Sequence, residues 1–259
     1  MFTYKKIFFD LIKEDIHLLS QTLFDKTING LIWVVSTVAI SAYILPALGV
    51  SASYGAFMAV GTIVGCGGFE IVTQMVNMLA DFDGDKKITY HLTLPIPNWL
   101  LLVKMGLVFA FNSLFISTVS FFTCKLVLWH SFNISIINYP RFILAGLLIS
   151  LFFGFFTLFL VSITKSLMHL DNVFMRMAFP LWMLGGFQFS WMVLSSYSHS
   201  FALLNLLNPY TYATEALRAA ALGQEGYLPF WLSILGLCFF IGLFAVLGIG
   251  RLKKRLDFV

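Results

Sequence analysis

Charge is scarce in this 259-residue sequence: Asp, Glu, Lys and Arg make up 11% of it, against 59% hydrophobic residues and a mean hydropathy of +0.90. A soluble globule of this length cannot cover so much apolar surface, so the composition excludes a soluble domain and points to a membrane. Cysteine is scarce too. Cys66, Cys124 and Cys238 lie inside apolar runs without paired spacing, which excludes a disulfide framework and leaves them as packing residues. His17, His91, His130, His169 and His199 are scattered without ligand spacing, so no metal site is expected, and no Ser/His/Asp or Cys/His grouping suggests an enzyme. The apolar runs lack the period-two alternation of a membrane β-barrel. No Gly-Lys-Ser/Thr ending follows Gly61, Gly65, Gly67 and Gly68, which sit within an apolar run, so the chain itself is expected to bind no nucleotide.

Long uncharged runs are what the sequence has. About twenty apolar residues span the roughly 30 Å of bilayer hydrocarbon as a helix. Six such runs occur, over 28–48, 54–79, 100–129, 142–163, 173–194 and 229–249. The expected fold class is an all-α integral membrane protein with six transmembrane helices in one membrane domain, residues 28–259. Residues 1–27 carry no signal-peptide core. Ile7, Phe8, Leu11, Ile12, Ile16, Leu19, Leu23 and Phe24 recur there at three- and four-residue steps between charges, the pattern of an amphipathic helix lying in the membrane interface before the first span.

With the amino terminus in the cytoplasm, thirteen Lys and Arg fall inside and only Lys125, Arg141 and Arg218 outside. That bias predicts cytoplasmic termini, a cytoplasmic loop at 80–99 and an outer segment at 205–223. Trp99, Trp129, Trp191 and Trp231 fall at span ends, whereas Trp182 lies deeper. The net charge of +4 is then a topology signal, and no nucleic-acid partner is needed.

Three features stand out against this background. In the outer segment, Asn208 and Pro209 stop any helix arriving from the fifth span. Thr211 to Ala221 then resumes strong helix formers, with Tyr212 among them and Glu215 and Arg218 three apart, close enough to pair. Such a helix is too short to span, so it either lies at the surface or dips in and returns. In the inner loop, Asp81, Asp83, Asp85, Lys86 and Lys87 must be in water, while Ile88, Tyr90, Leu92 and Leu94 form the apolar face of a short element stopped by Pro95 and Pro97. A peg of this kind transmits motion from a soluble partner. Its aspartates do not make a calcium loop, because Lys86 and Leu92 stand where glycine and glutamate belong. Glu70 is the one acid well inside a span. A carboxylate there costs on the order of 2.5–3.5 kcal/mol unless partnered, or else tilt brings it toward the interface. Gly61 with Gly65, and Gly146, Ser150 and Gly154, are small-residue pairs that permit close helix approach.

Asn208-Pro209-x-Thr211-Tyr212 followed by Glu215-Ala216-Leu217-Arg218 and Gly223 resembles the signature of type-2 ABC exporter permeases, the membrane subunits of bacterial drug, polysaccharide and lipo-oligosaccharide exporters. The resemblance implies a half-transporter in the bacterial inner membrane, as a homodimer or with a paralogous permease, driven by a separate cytoplasmic ABC ATPase that holds ATP and Mg. It places a coupling helix in the inner loop, at Asp85, Lys86, Lys87, Ile88, Tyr90, Leu92 and Leu94. Leu92, Pro95 and Pro97 match a Leu-x-x-Pro-x-Pro-like stretch, whereas the aspartates and lysines stand where many members carry an Arg/Glu-rich run. It also implies an outer gate at Asn208, Pro209, Tyr212, Glu215 and Arg218, surrounded by membrane lipid. An ion-coupled secondary transporter using Glu70 is the alternative. A lipid-modifying enzyme is disfavoured by the dispersal of acids and histidines.

Overall fold

A computed structural model describes residues 2–84 and 86–256, with 2–5, 83, 89 and 92 given by backbone alone. Among these residues there are helices and no strands. Five helices are long and apolar enough to cross a membrane, and a bent pair makes a sixth if it counts as one span. The surface is correspondingly oily: Ile28, Ile32, Val35, Ile40 and Ile44 on the first helix and Leu235, Phe239 and Val246 on the last are exposed, as suits helices solvated by lipid.

Helix α1 (Phe2–Ala39) runs through a π-helical turn (Ile40–Ile44) into the short α2 (Leu45–Ala47). The expected interfacial helix and first span are therefore one uninterrupted element. No glycine, proline or turn signal lies near position 27 to separate them, apart from Gly30, which the helix tolerates. Its early apolar stripe faces protein: Leu11 is buried against Ile96 and Leu101, with Ile7 and Leu94 packed alongside. Phe24 departs from that stripe and is exposed.

Helices α3 (Tyr54–Asp83), α5 (Asn98–Val127), α6 (Tyr139–Ile163) and α12 (Phe230–Leu256) complete the long set, with the short α4 (Lys87–Leu92) joining α3 to α5. Helix α6 packs between α5 and α12. Gly154 makes the α5 contact possible, since a Cβ there would lie 2.2 Å from the Gly106 carbonyl oxygen. Phe152, Phe153 and Phe156 of α6 surround Tyr210, with ring centres 5.4–6.0 Å away, and Phe156 meets Phe244 of α12 at 4.9 Å. Hydroxyls inside these helices are satisfied locally: Thr62, Ser120 and Thr157 each donate to the carbonyl four residues back, which keeps their polarity compatible with an apolar surround.

The expected fifth span at 173–194 is not a single helix. Short helices α7 (Leu170–Val173) and α8 (Phe179–Trp182) alternate with π-helical turns (Phe174–Ala178 and Met183–Phe187), and the axis then breaks and turns by 86° into α9 (Trp191–Tyr197). Gly186 takes φ +79° and Ser190 caps α9 through Val193 N–H. A side chain is excluded at Gly185, where a Cβ would lie 2.2 Å from Tyr210 Cβ. Helix α10 (His199–Asn205) and helix α11 (Pro209–Ala221) complete the chain between this break and α12.

Candidate functional site

Helix α11 begins as its sequence dictates. Asn208 is the N-cap, its Oδ1 accepting from Tyr210 N–H at 3.0 Å, and Pro209 takes the first turn, where no amide donor is needed. The helix is not part of an ordinary surface loop. Every residue of α11 except Tyr212 is buried, among α3, α6 and α12 and against the broken fifth span. Tyr212 packs on Gly236 of α12 and donates its hydroxyl to the Leu206 carbonyl.

The break in the fifth span frees backbone carbonyls that a continuous helix would have used, and a buried orphan carbonyl costs about 1–3 kcal/mol. Side chains of residues 205–218 supply the missing donors. Asn208 Nδ2 reaches the Leu181 carbonyl at 2.7 Å, Asn205 Nδ2 that of Leu184 at 2.6 Å, and Thr214 Oγ1 that of Gly185 at 2.8 Å. Arg218, with no exposed surface, donates Nη1 to Gly186 and Phe189 and Nη2 to Phe187 at 2.8 Å. Its guanidinium also lies 3.6 Å from the ring centre of Phe57 in α3, a cation–π contact strengthened by burial. Gly61 leaves the space: a Cβ there would come within 2.8 Å of both Arg218 Nη2 and the Phe187 oxygen. Gly65, one turn on, accommodates Trp33 and Trp182. The Gly61/Gly65 pair thus serves packing within the chain.

Glu215 handles the amides. Its Oε1 accepts from Trp191 N–H at 2.9 Å, at the start of α9, and its Oε2 from Leu228 N–H at 2.8 Å, in the loop before α12. The expected Glu215–Arg218 ion pair does not form. The Glu215 carboxylate is taken by two backbone amides and the Arg218 guanidinium by three backbone carbonyls, so each charged group is satisfied by backbone instead of by the other. Opposite charges one helical turn apart still leave the buried segment electrically balanced. Sequence reasoning missed Asn205, Thr214, Gly185 and Gly186. The signal for Asn205 and Thr214 was an amide and a hydroxyl at helical spacing from Asn208 and Arg218, and for Gly185 and Gly186 the adjacent glycine pair.

At the other end of the bundle, α4 occupies the expected inner-loop position. Asp81 caps it, accepting from Lys87 and Ile88 N–H at 2.9 Å each, and Lys86 enters with φ 52°. Asp85 lies outside the described residues, and so does the Leu92 side chain. The expected apolar face is split: Ile88 is buried and Leu94 half-buried, while Tyr90 is exposed. Residues two apart share a face of a strand but fall on opposite sides of a helix. Lys87 pairs with Glu14 at 3.0 Å, and Lys104 with Asp15 at 2.5 Å, tying α4 and α5 to α1. His91 is buried between these groups. Desolvation, then the Lys104 and Lys87 charges, hold its pKa below the ordinary 6.5, with Asp15 and Glu14 opposing.

Glu70 lies between the two ends, roughly 24 Å along α3 from Tyr54. It is buried and partnered: Lys26 Nζ approaches Oε2 at 3.1 Å and Asn112 Nδ2 donates to it at 2.7 Å. These contacts give the carboxylate the partners that an acid inside an apolar helix requires.

Comparison with protein-family models, curated proteins and solved structures finds no match. Among the described residues no group of His, Cys, Asp and Glu forms a metal site. The arrangement holds backbone, braces helices and leaves cavities.

Proposed function

We propose that this chain is the membrane-spanning permease subunit of an ATP-driven ABC exporter, working as a dimer with a separate cytoplasmic ATPase to move an amphipathic cargo across the bacterial inner membrane. The observation that carries the reading is the clamp on the fifth span: the segment resembling the exporter signature, Asn208 to Arg218, is where side chains take over the hydrogen bonds of a broken span. In this reading the break is the element whose side-chain hydrogen bonds are exchanged as access alternates.

In this reading the α4 end is cytoplasmic, in agreement with the distribution of basic residues. Helix α4 is the docking peg, with Tyr90 offered outward and Ile88 and the Lys87–Glu14 pair coupling it to α3 and α1. ATP binding to the partner favours one arrangement, and α4 passes that preference to the spans. An ion-coupled carrier using Glu70 is the second reading. The Lys26 and Asn112 contacts give Glu70 a bracing role that needs no ion gradient.

The test is co-purification of the tagged chain from its native membrane in mild detergent, with mass spectrometry and ATPase assay of the product. A stoichiometric soluble ATPase, lost when 88–94 is replaced by a Gly/Ser stretch, is the expected result. Transport that persists without an ATPase and collapses with the proton gradient overturns it.

A further inference from the structure

The end of the bundle opposite α4 holds a cavity of about 630 Å³, between the start of α3, the loop after α5, the fifth-span break and the loop after α11. That volume is within the roughly 300–1,000 Å³ typical of small-molecule sites. One wall is aromatic: Tyr54 stacks on Phe57 with ring centres 5.7 Å apart, and Phe57 on Tyr227 at 6.4 Å, all three rings within 18° of parallel to their neighbour. The rest of the lining is mixed, apolar at residues such as Ile136 and Val193 and polar at Ser131, Asn133, Gln188 and Glu225. Among the described residues, the Gln188 amide, the Ser131 hydroxyl and the Glu225 carboxylate make no hydrogen bond, and Asn133 uses only its Oδ1, on Ser135 N–H.

The chemistry of these walls selects a ligand. A cation would meet the Glu225 carboxylate but finds the Phe57 ring already taken by the Arg218 guanidinium, whose positive charge opposes it across the aromatic wall. An anion meets Glu225, among the described residues the one acidic side chain lining the cavity. A wholly apolar molecule would strip water from amides and a hydroxyl without replacing it. What fits is an uncharged molecule with an apolar face to lie on stacked rings and a hydroxyl edge to meet amides. We propose that this cavity is a binding site for a neutral saccharide unit, with its C–H face on the Tyr54–Phe57–Tyr227 stack and its hydroxyls toward Asn133, Gln188 and Ser131. The Tyr54 hydroxyl donates to the Gln188 carbonyl at 3.2 Å, so the aromatic wall is joined to the break that Arg218 clamps, and a bound sugar bears on that clamp.

The site does not depend on what drives transport. Binding is measured with no ATPase present, so loss of the exporter reading leaves it standing, and its own failure leaves the exporter reading untouched. The experiment is saturation-transfer NMR on the full chain in nanodiscs, with methyl glucoside, N-acetylglucosamine and lactose as probes, and with tetraphenylphosphonium and N-acetylneuraminate as charged competitors. The expected result is saturable binding of at least one neutral sugar that is about tenfold weaker in Tyr227→Ala and in Gln188→Ala, and unchanged in Tyr197→Ala, whose ring is exposed and outside the cavity. Gln188 is exposed, so its variant tests the site even where Tyr227→Ala misfolds. No sugar signal sensitive to these two substitutions, or tighter binding of either charged probe, overturns the proposal.

Discussion

Arg218 holds three carbonyls and an aromatic face with one planar group, a task to which a lysine ammonium is poorly suited. A guanidinium directs several donors in a fixed plane and is less strongly hydrated, so it tolerates a site with no exposed surface. Arg218→Ala leaves the Gly186, Phe187 and Phe189 carbonyls without their donor. At about 1–3 kcal/mol for each orphan, the loss is on the order of 3 kcal/mol or more. The expected outcome is a clear fall in melting temperature of the purified protein, with Arg218→Lys recovering only part of it. Under the exporter reading the same variant impairs transport while the ATPase still co-purifies, because α4 is at the far end of the bundle. A variant that melts like the parent shows that the clamp contributes nothing to stability, and one that loses the ATPase overturns the assignment of ends.

At the scale of elements, what was legible in the sequence is what local chemistry decides. The Asn208-Pro209 stop and the helix after it come from proline geometry and a side-chain cap, and both occur where the residues put them. The break at Gly185-Gly186 was not legible, because residues 173–194 are interrupted only by Arg176, Gln188 and Ser190 among polar residues and glycine is common in membrane helices. Only the approach of Tyr210 and the positive φ of Gly186 distinguish these glycines, and both are tertiary facts. The Glu215–Arg218 pairing inferred from spacing failed for a related reason: helical neighbours pair when nothing better is near, and here freed backbone groups were nearer. In the inner loop, alternation at 88, 90, 92 and 94 suggested one apolar face, yet the element is a helix and sends Tyr90 outward. Buried His91 gives α4 a pH dependence. Its folded pKa lies below the unfolded value, so its contribution to stability is complete above about pH 6.5 and is lost as pH falls, when a proton must enter between Lys87 and Lys104. Amide exchange over 86–94 is expected to be faster at pH 5.5 than at pH 7.5 beyond the intrinsic rate change, with the difference abolished in His91→Gln. Equal protection at both pH values, or a difference that survives in the variant, refutes it.

For the whole molecule, the question is how α1 stays with a bundle it barely enters. Only 17% of its most apolar window is buried, against 72% for α3, so apolar contact holds it weakly and the ionic links along its length carry more weight: Glu14 with Lys87, Asp15 with Lys87 and Lys104, and Lys26 with Glu70. The first is half exposed and worth little. The Lys26–Glu70 pair is buried, so removing one partner leaves a charge uncompensated in an apolar surround, at a cost on the order of 3–5 kcal/mol, whereas replacing both partners with apolar or neutral groups is often close to neutral. Lys26→Met alone is therefore expected to loosen α1, seen as faster exchange along it and a lower melting temperature. Lys26→Met combined with Glu70→Gln restores both, because the amide oxygen introduced by the second substitution still accepts from Asn112. The double variant also divides the two functional readings. A permease driven by an ATPase keeps its transport once the helix is braced again, since Glu70 only holds α1 in place. A carrier that couples through the Glu70 carboxylate stays inactive however stable the protein becomes.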